Sequence, residues 1–233
     1  NGGTDTETVS VTVTGANDLP VAVDDEASSG DVGATNIDLT GNDSDPDVND
    51  DLEILSIDTT GTLGTVVVNA DDDSVSYDPN GAFVGLADGE TAVDTFAYTV
   101  TDGQGGTDTA TVSVTVTGGN EAPTAVADEA TVGEDDLGAT NIDLTGNDSD
   151  PDGSDDLEIL SIDTTGTTGT VVIDPDGDSV NYDPAGAFED LGVGETAIDT
   201  FSYTVTDGNG GTDTETVSVT VTGANDLPVA VDD

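Results

Sequence analysis

A long internal repeat is the feature of this sequence that most constrains its fold. The segment Asn36–Asp47, which reads NIDLTGNDSDPD, recurs unchanged 105 positions later at Asn141–Asp152. Neighbouring strings match as well, including LEILSIDTTGT, which begins at Leu52 and again at Leu157. Self-similarity at a fixed period indicates repeated structural units. The chain is therefore predicted to hold two full copies of one unit.

The repeat also sets the predicted domain boundaries. The parts, in chain order, are the last strand of a preceding repeat at 1–16, repeat 1 at 17–119, repeat 2 at 120–224 and the first strand of a following repeat at 225–233. Asn1–Asp25 is identical to Asn209–Asp233. Two explanations of this identity stand. We favour a window on a longer array, and the alternative is a strand exchanged between neighbouring subunits of a polymer.

Within each unit, apolar residues alternate with polar ones at a period of two. Val112, Val114 and Val116 alternate with serine and threonine, and the same pattern runs through Phe96–Val100. Turn signals rich in Gly, Asn, Asp and Pro separate these runs. About seven such strands in roughly 100 residues are typical of an immunoglobulin-like sandwich. The predicted fold class is all-β, with tandem immunoglobulin-like seven-stranded β-sandwiches arranged end to end.

The charge of the chain restricts its partners. The sequence contains 52 Asp and Glu and no Lys, Arg, His or Cys, so its formal net charge is -52. A buried carboxylate therefore needs an amide, a hydroxyl, water or a metal cation. Nucleic acid is excluded as a partner because phosphate binding relies on Lys and Arg. No apolar run is long enough for direct membrane insertion. Adaptation to high salt would also explain the acidity, and it can coexist with calcium binding.

Acidic and amide side chains recur at each junction between repeats and at the start of the strand that follows. Calcium takes about six to eight oxygen ligands from carboxylates, amides and backbone carbonyls. The alternative is a plain solvated turn before a proline. The predicted calcium ligands here are Asn17, Asp18, Asp24, Asp25, Glu26, Asn120, Glu121, Asp128, Glu129, Asn225 and Asp226.

A second acidic motif is the Asn-Asp-Ser-Asp-Pro-Asp loop that both repeats contain. Alternate carboxylates in a loop converge on one point, as they do at the start of an EF-hand. The twelfth position is Ile54 or Ile159 instead of glutamate, which excludes an EF-hand. Calcium stays the prediction, and glycosylation of Asn42 is an alternative. The predicted ligands are Asp43, Asp45, Asp47, Asp148, Asp150 and Asp152.

Three further polar patterns are weaker candidates. Asp102 and Asp207 open glycine-rich turns that suit a hairpin into the last strand, and both are included among the predicted ligands. A calcium-binding β-roll is disfavoured because this motif occurs once per repeat. The acidic stretches that begin at Asn69 and Asp174 fit an ion site or a polar hairpin turn equally well. Threonine alternates along the last strand, and its preference for β-strands is the main explanation. Ice binding and O-glycan attachment are minority alternatives.

The last two strands of each repeat carry the residues of a known family. The string FAYTVTDGQGGTDTATVSVTVTG from Phe96, its close copy from Phe201 and the Asn-Asp-x-Pro junction resemble bacterial cadherin-like and VCBS-type repeats of large secreted, RTX-type surface adhesins. The resemblance covers essentially the whole chain. It implies sandwiches joined end to end with calcium at the linkers. The ligands it implies are Asn17, Asp18, Asn120, Glu121, Asn225 and Asp226, with Asp45, Asp47, Asp150 and Asp152 as the cadherin Asp-x-Asp element. The cadherin Asp-Arg-Glu element has no counterpart, because the chain has no Arg.

Repetition without a unique site predicts a structural role. We expect a calcium-stabilised repeat of an extracellular fibre or adhesin stalk, whether secreted or on the cell surface. Its expected partners are neighbouring repeats or identical subunits, with glycans as a further class. The alternative is a carbohydrate- or surface-binding module of a secreted halophilic protein. An enzyme is disfavoured, because no Cys, His, Lys or Arg is available and every candidate carboxylate pair is duplicated as a loop.

Overall fold

The chain forms two compact units, each of which contains one β-sandwich. The computed structural model describes residues 1–47, 51–136, 138–153 and 155–225. The units are Asn1–Ala82 with Ala92–Val116, and Phe83–Thr91 with Thr117–Asp233. All the regular structure in the described ranges is β-strand, which confirms the predicted fold class. The described part of the chain contains no helix of the length and apolarity that a membrane crossing requires.

Repeat 1 has seven strands. They are β1 Asp25–Gly30, β2 Thr35–Asp38, β3 Glu53–Asp58, β4 Thr65–Val68, β5 Ser74–Asp78, β6 Thr91–Thr101 and β7 Thr107–Thr117. One sheet has the order β1-β7-β6-β3 and the other has the order β2-β5-β4. Val112, Val114 and Val116 of β7 are fully buried while Ser113 and Thr115 between them are half-buried, as the period of two predicts.

Repeat 2 repeats this topology. Its strands are β8 Asp128–Gly133, β9 Thr140–Asp143, β10 Glu158–Asp163, β11 Thr170–Ile173, β12 Ser179–Asp183, β13 Thr196–Thr206 and β14 Thr212–Thr222. The sheets have the orders β10-β13-β14-β8 and β11-β12-β9. β14 is a central strand: it pairs antiparallel with β13 over eleven residue pairs and parallel with β8 over six. Its inward valines pack with Tyr182 and Tyr203 in a single core cluster.

Acidic loops of each sandwich meet at the end where the chain enters it. In repeat 2, the β13–β14 hairpin and the loop after β9 meet the segment that precedes β8. A bridge between Thr124 and Ser149 ties that segment to the loop, and Val21 and Ser44 form the same bridge in repeat 1. Residues far apart in sequence are thereby brought to one end of the unit.

The first residues of the chain lie outside both sandwiches. Residues 1–20 contain no strand. The side chains of Val9, Val11 and Val13 are 83%, 80% and 87% exposed. The expectation that 1–16 forms the last strand of a preceding repeat therefore stays a prediction.

Candidate metal centre

A group of five acidic residues and one asparagine, which we call the junction cluster, lies where the β13–β14 hairpin of repeat 2 meets the loop after β9. Its members are Asn120, Glu121, Asp150, Asp152, Asp155 and Asp207. Carboxylate oxygens of Asp150, Asp155 and Asp207 all lie within 4.8 Å of one another. All three come from different places in the chain: the loop after β9, the approach to β10 and the β13–β14 hairpin. The cluster thus exists only in the folded repeat.

Asp207 is held by its own hairpin. Its Oδ1 accepts hydrogen bonds from the amides of Asn209, Gly210 and Gly211 at 2.8, 2.9 and 3.0 Å. Gly210 has a φ of +119°, a conformation that L side chains rarely adopt. A Cβ on Gly211 would collide with the Asp207 carboxylate. The glycines therefore let the backbone wrap this carboxylate, which is 5% exposed.

Backbone amides fix the loop after β9 against the junction. The amide of Asp152 donates to Asp150 Oδ1 at 2.8 Å, and the amide of Glu121 donates to Asp152 Oδ2 at 3.0 Å. Asp152 is only 1% exposed. Its Oδ1 and the Oδ2 of Asp150 are buried and accept no hydrogen bond from the described residues. Two buried carboxylate oxygens of the cluster therefore lack a hydrogen-bond donor among the described residues.

The electrostatics of the cluster call for positive charge. Burial raises the pKa of Asp150, and the neighbouring Asp152, Asp155 and Asp207 raise it further. Burial also acts on Asp207, but hydrogen bonds from Asn120 and the hairpin amides outweigh it and hold its pKa below the usual range. The chain has no basic side chain to offset these charges. A hard cation with oxygen ligands fits this donor set, and calcium prefers such ligands.

Repeat 1 builds the same arrangement. Asn17 Nδ2 donates to Asp102 Oδ2 at 2.8 Å, and the amide of Asp18 donates to Asp47 Oδ2 at 2.7 Å. The amide of Asp47 in turn donates to Asp45 Oδ1 at 2.7 Å, and Asp45 Oδ2 is buried with no hydrogen-bond donor among the described residues. The counterpart of Asp155 is residue 50, which lies outside the described ranges.

Four of the predicted ligands belong to a different group, which we call the inner carboxylate pair. In repeat 1 it consists of Asp25 and Asp43 beside Tyr98. The tyrosine hydroxyl lies 3.1 Å from both Asp43 carboxylate oxygens and 3.0 Å from the Leu39 carbonyl. Burial raises the pKa of Asp25 to about 6, and repulsion from Asp43 adds to this effect.

The inner carboxylate pair of repeat 2 is Asp128 and Asp148 beside Tyr203. The hydroxyl of Tyr203 lies 2.9 and 3.0 Å from the two Asp148 carboxylate oxygens. Burial and repulsion from Asp148 raise the pKa of Asp128 to about 6. These four residues are set apart from the junction cluster by their shared contact with a core tyrosine.

Other predicted ligands lie elsewhere. Asp24 accepts a hydrogen bond from the amide of Thr111 at 2.8 Å. Glu26 and Glu129 are exposed and border shallow surface depressions beside Val93 and Ile198 respectively. Two predicted ligands remain: Asn225, which is exposed, and Asp226, which lies outside the described residues.

The polar stretch at Asn69 forms the β4–β5 hairpin turn. The carboxylate of Asp71 accepts a hydrogen bond from Ser74 Oγ at 3.0 Å, and Asp72 has a φ of +57°. This contact lowers the pKa of Asp71. The hairpin-turn interpretation accounts for these residues.

Sequence reasoning missed several buried acidic residues. Asp155 was not singled out, although it completes the junction cluster. Glu134 follows β8 and is 4% exposed; its Oε1 accepts the amide of Ala224 at 2.6 Å, and its Oε2 is buried with no hydrogen-bond donor in the described ranges. Glu134 thus contacts the segment just after β14, where the next junction begins.

The missed pair Asp94 and Asp199 has a structural role instead. Asp199 Oδ2 accepts hydrogen bonds from Tyr182 Oη and the Gly169 amide, both at 2.8 Å, and Oδ1 accepts from the Thr168 amide at 2.9 Å. Burial opposes ionisation, but these donors outweigh it and lower the pKa of Asp199. Asp94 is held in the same way by Tyr77, Leu63 and Gly64. The sequence signal that could have identified them is an aspartate at an inward-facing strand position, in β6 for Asp94 and in β13 for Asp199.

Family comparisons agree with this architecture. Residues 17–118 match the bacterial cadherin-like domain, and residues 120–220 match the bacterial Ig domain. Repeat 1 therefore belongs to the bacterial cadherin-like domain family, and repeat 2 belongs to the bacterial Ig domain family. The resemblance inferred from the sequence is thereby confirmed at the level of the domain family. No curated protein sequence matches the chain.

The chain is similar to solved cadherin structures. Mouse clustered PcdhgC3 EC1-3 aligns with a TM-score of 0.52 at 15% identity, covering 89% of this chain and 68% of that one. Human mucin-like protocadherin EC1-2 aligns at 17% identity over 88% of this chain and 99% of that one, with a TM-score of 0.47. The chain spans 51% of the Drosophila N-cadherin EC1-4 structure, at 17% identity, 90% coverage of this chain and a TM-score of 0.34. Of these three alignments, the one with mouse clustered PcdhgC3 EC1-3 has a TM-score above 0.5, and at 15% identity it supports the fold alone.

Proposed function

We propose that this chain is a calcium-stabilised structural segment of an extracellular fibre or adhesin stalk. Its two cadherin-like and Ig-like repeats belong to domain classes that serve as structural or adhesion modules. In such a stalk, calcium bound at the junction cluster of each repeat would stiffen the end of the sandwich. The proposal includes placement outside the cell and end-to-end contact with neighbouring repeats.

One observation carries the calcium part of the proposal. Three carboxylates converge within 4.8 Å, beside buried oxygens of Asp150 and Asp152 that receive no hydrogen bond from the described residues. Burying ionised carboxylates without donors is costly unless a cation balances them. Asp150, Asp155 and Asp207 would supply carboxylate ligands, and Asp152 would supply a further oxygen. Bound calcium would offset their repulsion and join three chain segments.

The aromatic residues favour a structural role over carbohydrate binding. Sugar-binding surfaces usually combine polar groups with accessible aromatic rings. All four tyrosines and three of the four phenylalanines are buried, and Phe188 packs partly buried against the core. Because the aromatic rings are buried, they favour a structural role in a stalk over a carbohydrate-binding surface.

Calcium titration by calorimetry tests the proposal. We expect the chain to bind calcium at both repeats with heat that vanishes after chelation. The Asp150→Asn variant should lose the repeat 2 site, whereas Asp163→Asn, which changes an exposed residue at the end of β10, should bind as the parent does. Binding that is unchanged in Asp150→Asn would contradict the assignment of the site.

Small-angle scattering tests the stalk part separately. A stiff array should give a longer maximum dimension with calcium than after chelation, because bound ions would restrict the repeat ends. Identical scattering profiles in both conditions, with calcium binding established by calorimetry, would leave the metal site intact but overturn its role in stiffening.

A further inference from the structure

The same shallow depression occurs on the outer face of the four-stranded sheet in both repeats. In repeat 2 it lies over β8, β14 and β13, and its volume is about 340 Å³. In repeat 1 it lies over the equivalent strands β1, β7 and β6, and its volume is about 550 Å³. No residue that lines it belongs to the junction cluster or to the inner carboxylate pair. The depression is therefore a second feature of the repeat unit, separate from the candidate metal centre.

The strand register explains how the depression forms. Ser218 and Thr220 of β14 lie on the outer face, because the valines that alternate with them are buried in the core. Glu129 of β8 pairs with Ser218 on one side, and Ile198 of β13 pairs with Thr220 on the other. Because adjacent strands are about 4.8 Å apart, Glu129 and Ile198 flank a floor of two short hydroxyl side chains.

An exposed aliphatic side chain forms one side of each depression. Ile198 is 71% exposed, and Val93, its counterpart in repeat 1, is 62% exposed. The other outward positions of β13 are all threonine or serine, so Ile198 is an apolar exception on a hydroxyl-rich strand face. Each depression therefore offers one apolar surface against which the hydrocarbon part of a ligand can be buried.

Charge selects the kind of ligand. Glu26 and Glu129 supply a carboxylate in the two depressions, and the chain has no basic residue to pair with either. A second copy of the chain carries the same formal charge of -52 and is repelled. A lysine side chain matches the depression in both parts, because it has an ammonium group for the glutamate and a hydrocarbon stem for the aliphatic side chain. The floor hydroxyls can also accept hydrogen bonds from the ammonium group.

We propose that each depression is a docking site for a lysine-bearing extended segment of a basic partner protein. The ammonium group would pair with Glu26 or Glu129, and the stem would lie on Val93 or Ile198. β1 and β8 are edge strands of their sheets, so the backbone of the partner segment can run alongside them. This inference names a partner that the stalk proposal does not include, and it does not depend on calcium binding at the junction cluster.

Zero-length cross-linking locates the site on the full chain. A carbodiimide joins a carboxylate to a lysine amine as an amide with loss of water, and the chain has no lysine of its own. The probe is the peptide acetyl-Gly-Lys-Gly-Lys-Gly-amide in excess calcium and physiological salt. Mass spectrometry should find about fivefold more adducts on Glu26 and Glu129 than on Glu53 and Glu158, which are exposed on the opposite edge strands of the same sheets. Equal adducts on all four glutamates would overturn the proposal.

Matched glutamine variants separate the site from general attraction to an acidic chain. Glu26→Gln with Glu129→Gln should weaken peptide binding about fivefold in a calorimetric titration, because each depression loses its ion pair. Glu53→Gln with Glu158→Gln removes the same charge from exposed positions and should bind as the parent does. Equal weakening by the two variants would show that the peptide responds only to net charge, and would overturn the docking site.

A shorter lysine analogue tests the apolar contact. Diaminobutyrate keeps the ammonium group but lacks two methylene groups, so a peptide that contains it should bind the parent more weakly than the lysine peptide does. This difference should disappear in Val93→Thr with Ile198→Thr and persist in the control Val67→Thr with Val172→Thr, whose valines are exposed on the other sheet. A difference that persists in both variants would contradict the contact. Displacement of the lysine peptide by the neutral sugar maltotriose would identify a carbohydrate site instead and overturn the proposal.

Discussion

Asp199 is buried and Asp150 of the junction cluster is half-buried, but the surroundings of these two carboxylates differ. Asp199 receives hydrogen bonds from three backbone amides and a tyrosine hydroxyl, and its pKa is lowered. Asp150 receives one backbone amide, faces three other carboxylates and has a raised pKa. In a chain without basic side chains, burial alone therefore does not identify a metal ligand. The supply of hydrogen-bond donors separates a structural carboxylate from one that needs a cation.

The largest expected effect comes from removing the satisfied carboxylate. Asp199→Ala leaves the amides of Thr168 and Gly169 and the hydroxyl of Tyr182 without their acceptor. We expect repeat 2 to lose about 3 to 5 kcal/mol of stability, because several buried donors lose their partner. Chemical denaturation should show the same loss with calcium and after chelation. Asp163→Ala removes an exposed aspartate at the end of β10 and serves as the control. A loss that depends on calcium would place Asp199 in the metal centre.

Asp150→Asn should instead have an effect that depends on calcium. The asparagine oxygen can still accept the Asp152 amide while one negative charge disappears. After chelation we expect no loss or a small gain in stability, because repulsion within the cluster falls. At calcium about 100 times its Kd, the variant should lose about 2.7 kcal/mol relative to the parent. Thermal unfolding in both conditions measures the difference. Equal losses in both conditions would contradict a metal role.

A smaller effect is expected from pH in the chelated protein. The pKa of Asp25 and of Asp128 is about 6 in the folded state, above that of an ordinary Asp. The folded state then binds protons more tightly, so the cost of these charges is fully present above pH 6 and disappears as pH falls towards 4. Both carboxylates are partly exposed, and solvent screens their charge. The expected cost of ionisation to folding stability is therefore about 1 kcal/mol per site.

In the parent protein, the free energy of unfolding should therefore rise as the pH falls from 6 to 4. The double variant Asp25→Asn with Asp128→Asn should lack this rise when unfolding is measured by denaturation at each pH. At still lower pH, Asp94 and Asp199 act in the opposite sense, because their folded pKa values are lowered and protonation removes their contribution. A parent protein that loses stability steadily from pH 7 downward would contradict the raised pKa values.

The sequence predicted the fold better than it predicted which carboxylates meet. Strand alternation is local, so Val112 and Val114 already indicated an inward face, and their burial confirms it. The junction cluster depends on how three loops approach one another, and nothing local to Asp155 marks it as the third carboxylate. Because Asp128 starts the strand that follows the junction, the sequence grouped it with the junction ligands. In the fold, its side chain lies beside Tyr203 instead. Side-chain direction at a strand start requires the register, which spacing alone does not supply.

The glycine turns show the opposite case, in which a local pattern carried more than one meaning. Asp207 was interpreted both as the start of a hairpin and as a ligand, and the structure shows the hairpin. Asp207 Oδ2 accepts hydrogen bonds from the Gly211 amide and from Asn120 Nδ2, and one of the two carboxylate oxygens lies within 4.8 Å of Asp150 and Asp155. One residue can therefore close a turn and also contribute to the cluster.

Thermal unfolding by circular dichroism tests the central claim most directly. The chain is heated with calcium, after chelation, and after chelation in high sodium chloride. If the junction clusters are specific calcium sites, chelation should lower the Tm sharply and sodium chloride should not restore it. If sodium chloride alone restores the Tm, general screening of the 52 carboxylates stabilises the fold, and the calcium assignment is contradicted.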